Sequence, residues 1–439
     1  MVSLVFIKTQ LSGHVGPLTS ISAKASHKVC NVEDYGAKNG SPSVDFGPPF
    51  ADAWADCKDG GLVWIPSGEW FMQTAVSLDH GSATAVQLDG TIYRYAAITG
   101  DEMILIENGN DVEFFSGNSQ GAVQGYGYQY LSQGEYGIRL MRIQNTENFS
   151  VHGFALVDSP SYYLTLDTCT NGEVYNLIMR GVTIGETDAI DVWGSNMYIH
   201  DIEVTNGDEC VTTKSPAENF LIEDVYCNIS GGCSIGSLGL DTDISNVYYH
   251  QIYCNQADPA FLKTNGGSGT VKNMMWNEVI FYGAAYPLSI DSSWGTSDGG
   301  NGIQMTNFTY KSWHGTEVEN SRSVIRLNCP PGYPCSELSL SDIYVWTESG
   351  DYVTYTCENS FGSGGFCLEK EPSSGDLTTY TSIATNTVAP SYMSLKMAAD
   401  HTTPFPSTTS FTIPSVPTSF YPGATPASAL LNCDTAGCL

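Results

Sequence analysis

Four acidic side chains crowd the middle of the chain: Asp188, Asp191, Asp208 and Glu209. Carboxyl groups gathered in one patch repel each other, and the repulsion raises the pKa of at least one of them. A cluster that shares protons in this way holds a general acid and a general base together. That is the equipment needed to hydrolyse a glycosidic bond. A lone Asp at a strand end usually does no more than end the strand and face water. Two acids at one position of a repeat, with two more beside them, argue for chemistry, although Asp258 stands at the same offset without a chemical role. Other chemistries are poorly served. The 8 histidines are scattered and no GxSxG elbow appears. No Walker or GxGxxG fingerprint precedes a helix, and no Cys or His cluster has zinc spacing. Acidic clusters can bind calcium, but no metal and no cofactor is expected here.

The elements that must hold these acids show as a repeat. From about residue 148 a nine-residue pattern recurs: Asn, apolar, x, apolar, x, x, apolar, x, apolar. It begins at Asn148, Asn176, Asn196, Asn219, Asn246, Asn273 and Asn307, and Glu337 opens one more copy. Alternation of period two marks short, half-buried strands. The two-residue interruption in each copy (RG, HD, ED, HQ) marks a bend. Self-similarity at twenty-odd residues without helical period points to a β-solenoid whose coils stack. The recurrent Asn would hydrogen-bond along the stack as a side-chain ladder. With Asn as the index, Asp188 follows Asn176 by twelve positions and Asp208 follows Asn196 by twelve. Equal offsets place Asp188 under Asp208, one strand spacing of about 4.8 Å away.

The expected fold is therefore all-β, a single-domain right-handed parallel β-helix. A helix near Phe50–Cys57 would cap its N-terminal end and cover otherwise unpaired edges. Residues 10–400 would form the catalytic β-helix. The Ser/Thr/Pro-rich segment 401–439 is read as a tail packed along the coils, and residues 1–9 as a residual leader or cloning remnant.

Composition narrows the partners. The 439 residues include 47 Asp and Glu against 17 Lys and Arg, a net charge of −30. Such a surface repels phosphate backbones, which excludes nucleic acid. No apolar run long enough to cross a membrane occurs. Thirteen cysteines and sequons at Asn148, Asn228 and Asn307 favour an oxidising, secretory route to an extracellular location. A monomer is expected.

Around the acids the chain resembles the pectin-degrading hydrolase family that contains polygalacturonases and rhamnogalacturonases. Polygalacturonases carry an NTD-x-x-D segment, a DDC segment, a GHG segment followed by SIGS, and an R-I-K segment, in that order. The corresponding stretches are ETDAID (Glu186–Asp191), GDECV (Gly207–Val211), SGGCSIGS (Ser230–Ser237) and FLK (Phe261–Lys263). The departures are instructive: Glu186 replaces the first Asn, Glu209 the second acid of DDC, and Phe261 the arginine, while the histidine is missing. In these features, and in DVWGSN (Asp191–Asn196), VTNGDECVTTKSPAEN (Val204–Asn219) and TNGGSGT (Thr264–Thr270), the chain is similar to fungal rhamnogalacturonan hydrolases of the rhamnogalacturonase A type.

The resemblance implies an endo-acting hydrolase of the rhamnogalacturonan I backbone of pectin, an acidic plant cell-wall polysaccharide. Asp208 would be the general acid, and Asp188 and Glu209 would activate water, with inversion at the anomeric carbon. Asp191 would support them. Losing a His and an Arg leaves a more apolar slot, suited to a rhamnose methyl group. Lys214 and Lys263 remain for galacturonate carboxylates, and Trp193, Tyr286, Asp291 and Trp294 are further candidate substrate contacts. The resemblance also implies disulfides Cys30–Cys57, Cys210–Cys227, Cys329–Cys335 and Cys357–Cys367. Spacing adds Cys433–Cys438 and leaves Cys169, Cys233 and Cys254 unassigned. A polygalacturonase or xylogalacturonan hydrolase is the alternative enzyme, a lyase a further one, and a non-catalytic carbohydrate-binding solenoid the alternative of another kind.

Overall fold

The computed structural model describes residues 10–386, apart from 96–97, 132, 184, 296–298, 319–321, 348–350 and 373–378. The leader, the tail from 401 and the Cys433–Cys438 pair lie outside the described residues. Two compact units are present, one spanning Leu11–Asp208 and the other beginning at Glu209.

Both units are stacks of parallel strands. In the N-terminal unit one sheet carries Val76–Asp79, Glu102–Glu107, Arg139–Gln144, the start of Leu164–Arg180 and Ile190 onward, in register from coil to coil. Ser82–Leu88, Asn110–Phe115 and Glu147–His152 lead a second sheet. Thr91–Arg94, Ala122–Gln124 and Ala155–Val157 lead a third. Inward positions such as Ile104, Met141, Leu164 and Ile190 are apolar and buried, while Arg142, Thr165 and Asp191 alternate with them. The C-terminal unit repeats the scheme through Glu209–Ser230, Thr242–Ala257, Gly269–Ala284, Gln304–Glu317 and Cys335–Thr347. Its site-bearing sheet runs through Gly232–Leu238, Ala260–Thr264, Leu288–Asp291, Ile325–Asn328 and Val353–Glu358. Thr381–Asn386 closes on Val353–Glu358 in the antiparallel sense. The fold is the expected parallel β-helix.

The capping helix spans Gly47–Cys57, longer at its start than the sequence suggests, with Pro in its first turn. It buries Phe50, Ala53 and Trp54 against the first strands, and Cys57 ties it to Cys30. A second helix, Ile21–His27, starts at the N-cap Ser20 and was not foreseen. Its Lys24 is fully buried on Asp111 and Glu113.

The asparagine ladder exists, with one correction. Asn148 bonds Asn110, Asn171 bonds Asn148, and Asn196 bonds Asn171, with coil lengths of 23 and 25 residues for the last two steps. In the second unit Asn246, Asn273 and Asn307 each donate to the preceding rung. Asn176 is not a rung. A second bend with a residue at positive φ comes five positions after the rung, and Asn176 (φ 49) occupies that one, with Asp201, Asp224, Gln251 and Glu278. Short polar side chains tolerate this left-handed conformation, so Asn fits either bend and spacing alone chose the wrong one.

Candidate active site

Asp188 ends an irregular segment between the strands Leu164–Arg180 and Ile190–Thr205, whereas only three residues separate Thr205 from Glu209. Equal offsets from the ladder therefore do not hold once Asn171 replaces Asn176. The two acids nevertheless come together, with carboxylate oxygens of Asp188 and Asp208 within 4.8 Å. Local hydrogen bonds do this work. The Thr187 hydroxyl donates to the Asn206 carbonyl at 2.8 Å, and the Asn206 amide donates to the Thr187 carbonyl at 2.6 Å. The Asn206 oxygen accepts the Asp208 N–H at 3.2 Å. From the preceding coil, Tyr163 and Leu164 N–H groups bind the carbonyls of Asp188 and Ala189. Asp208 is half-buried and accepts the backbone N–H of Glu186, while Asp188 and Asp191 are buried. Asp191 lies on its strand opposite Thr165.

Tyr136, which sequence reasoning missed, stands beside these acids. Slight burial and then the charges of Glu186 and Asp208 push its phenol pKa up. No spacing rule would have found it, because it comes from a separate loop. Trp193 is half-buried on the strand that carries Asp191.

The C-terminal unit opens with Glu209, covalently next to Asp208. Its carboxylate is ion-paired with Lys263, and both are buried. Phe261 and Lys263 alternate with the inward Ala260 and Leu262 on one short strand. Phe261 meets Tyr286 edge-on at 5.1 Å and Trp294 at 4.9 Å. The Lys263 ammonium lies 5.6 Å from the Phe261 ring and 5.5 Å from Trp294. Tyr286 is half-buried, and burial followed by the Asp258 charge raises its pKa to about 12. Asp258, without a role in the sequence, accepts the N–H groups of Ala285 and Tyr286 at 2.7 and 2.8 Å and so fixes the turn that presents Tyr286. Asp291 is held by Arg326 and Ser293. Burial opposes ionisation there, but these bonds prevail and its pKa lies below the usual carboxylate value. Lys214 donates to the Gly236 carbonyl at 2.8 Å. At Gly232, φ is +74° and a Cβ would fall 1.6 Å from the Asp258 carbonyl, so no side chain fits there.

The four bridges Cys30–Cys57, Cys210–Cys227, Cys329–Cys335 and Cys357–Cys367 are formed, and Cys169, Cys233 and Cys254 are buried free thiols. Of the sequons, Asn307 is exposed, Asn148 is a ladder rung, and Asn228 is buried and accepts from Asn255. As metal ligands the acids offer carboxylate oxygens only, and calcium takes about six to eight oxygens.

The carboxylates of Asp188, Asp208 and Glu209 offer oxygens within 4.8 Å of one another, an arrangement able to give and take protons, and the comparisons agree with a hydrolase. Residues 61–364 match the family described as Glycosyl hydrolases family 28. A probable rhamnogalacturonase C of Aspergillus flavus is 52% identical over 434 residues, covering 99% of this chain and 96% of that protein. Rhamnogalacturonase A of Aspergillus aculeatus is 50% identical over 429 residues, covering 97% and 96%. Among solved structures, the endo-xylogalacturonan hydrolase from Aspergillus tubingensis superposes with a TM-score of 0.68 at 23% identity, covering 80% of this chain and 98% of that one. The polygalacturonase from Erwinia carotovora gives 0.59 at 17% identity, covering 76% and 96%. The chain belongs to glycosyl hydrolase family 28 and is a glycoside hydrolase.

Proposed function

We propose that this enzyme cuts the rhamnogalacturonan I backbone of pectin in endo fashion, at the α-1,2 galacturonosyl–rhamnose bond. The observation that carries this reading is Phe261. It sits where a polygalacturonase motif has arginine, and with Trp294 it forms an apolar corner beside the Lys263–Glu209 pair. A corner of ring edges suits the methyl group of a 6-deoxy sugar and gives a second carboxylate no cation to meet. Relatives at about half identity that bear the name rhamnogalacturonase support the same substrate.

In this reading Asp208 protonates the glycosidic oxygen, and Asp188 and Glu209 take a proton from the attacking water. Lys263 holds Glu209 in place through their ion pair. Asp191 orients its neighbours, and inversion is assigned from the family resemblance. Lys214, Lys263 and Trp193 contact the sugars alongside Tyr286 and Trp294. Asp291 serves indirectly by anchoring Arg326. The protein is proposed to act outside the cell as a monomer, and its four disulfides support that location.

Product analysis tests the proposal. Purified rhamnogalacturonan backbone should yield saturated oligomers with rhamnose at the new non-reducing ends, and proton NMR should show the inverted anomer first. Homogalacturonan should remain intact. Cleavage of homogalacturonan instead would make the enzyme a polygalacturonase, and preference for a xylose-substituted chain would make it a xylogalacturonan hydrolase.

A further inference from the structure

A backbone that alternates a neutral deoxy sugar with a uronate presents a carboxylate at every second residue. If the deoxy sugar rests on Phe261, the next uronate along the chain needs its own cation. Resting on the substrate reading above, we propose that Arg322, laid over the Tyr286 ring, binds the carboxylate of the galacturonate one sugar beyond the Phe261–Trp294 corner.

The neighbouring cations of the C-terminal unit each already hold a protein acceptor. Lys263 is paired with Glu209, Arg326 with Asp291, and Lys214 is bonded to the Gly236 carbonyl. Arg322 differs. It is exposed, its guanidinium carbon sits 4.5 Å from the Tyr286 ring centre, and no carboxylate among the described residues pairs with it. Two acids lie nearby, and the Asp258 charge interacts with the guanidinium. Glu317 accepts the Arg322 backbone N–H at 3.4 Å, and Asp258 holds the backbone of Tyr286. The Arg322 guanidinium also donates to the Tyr286 phenol, and the planar fork has further N–H groups to present to a carboxylate. Within the C-terminal unit the contacts run from Trp294 to Phe261 at 4.9 Å, on to Tyr286 at 5.1 Å, and on to Arg322 at 4.5 Å. Along this series the apolar corner is followed by a cation, and that order matches rhamnose followed by galacturonate.

The test compares wild type, Arg322→Ala and Arg322→Lys on rhamnogalacturonan oligosaccharides and on the same oligosaccharides with their carboxyls reduced to alcohols. Where the reduced set is not turned over, its inhibition constant is read instead. Arg322→Ala should raise KM on the charged oligomers about tenfold or more with kcat nearly unchanged. Arg322→Lys should recover part of the loss, since it restores charge without the planar fork. On the reduced oligomers wild type and Arg322→Ala should agree within about twofold. Equal losses on both sets would mean that Arg322 only steadies Tyr286, and no loss on either would also overturn the assignment. Absence of wild-type turnover on the charged oligomers would instead overturn the substrate reading itself.

Discussion

Thr187 and Asn206, both fully buried, exchange side-chain-to-backbone hydrogen bonds in both directions between adjacent coils, at 2.8 and 2.6 Å. Each lies just ahead of an acid. The pair fixes where the chain releases Asp188 and Asp208.

Removing one half of this exchange should loosen the acids more than the fold. In Thr187→Val the Asn206 carbonyl is left buried without its donor, at a cost of about 1–3 kcal/mol. Small displacements of reacting groups can cost up to about a hundredfold in rate. We expect kcat to fall roughly tenfold or more with KM almost constant. Thermal melting and steady-state kinetics on one preparation decide it; a lowered Tm with unchanged kcat would assign the pair to stability alone.

The three carboxylates should separate by role. Asp208→Asn, Asp188→Asn and Glu209→Gln should each lower kcat by about two to four orders of magnitude, with Asp191→Asn milder. Lys263→Met should affect Glu209 indirectly by removing the partner of a buried charge. An Asp208→Asn protein with near-full activity would refute its assignment as the acid.

Stability should peak in mildly acidic solution. Burial raises Asp158 to about 6 and Glu203 and Glu317 to about 7. At His200 burial acts to lower the pKa, but bonds to Asp201 and Glu173 outweigh it and bring the ring to about 9. Each group binds its proton more tightly folded than unfolded. Its contribution is complete below the ordinary value and lost as pH climbs through the raised one. In the opposite sense, Asp45 and Asp291 lie below the usual carboxylate value and weaken the fold only under strong acid. Melting scans should show Tm falling by about 5 °C or more between pH 5 and pH 8, and a flat profile would contradict the burial of these groups.

Cys210 follows Glu209 directly, and its bridge to Cys227 spans 17 residues. Loss of a loop closure of this size costs about 3 kcal/mol. The double variant Cys210→Ser/Cys227→Ser should melt lower by that amount and lose kcat in the same preparation. Equal kcat at a temperature well below its melting point would show that the bridge braces the coil without steering Glu209.

Much of this was legible beforehand. Alternating apolar positions around Phe149, Ile199 and Phe220 gave the strands, and the resemblance gave all four bridges. The ladder was legible but misindexed at Asn176, because Asn satisfies both left-handed bends equally and only pairing partners distinguish them. Asp188 was matched to Asp208 through that wrong index, and a longer connecting segment restored the match. Tyr136, Asn206 and Arg322 were out of reach for a different reason. Their partners are distant in sequence or are backbone atoms, so the spacing of side-chain types does not reveal what they touch.

The ladder leaves one side of the coils at a fixed pitch, while coil lengths range from 23 to 38 residues. The added residues are taken up away from the rungs. Such a chain resembles a bound book with pages of unequal width: the spine is set once, and the free margin can be recut. New sugar contacts can therefore be acquired by lengthening a margin, with the cost to folding confined to that coil.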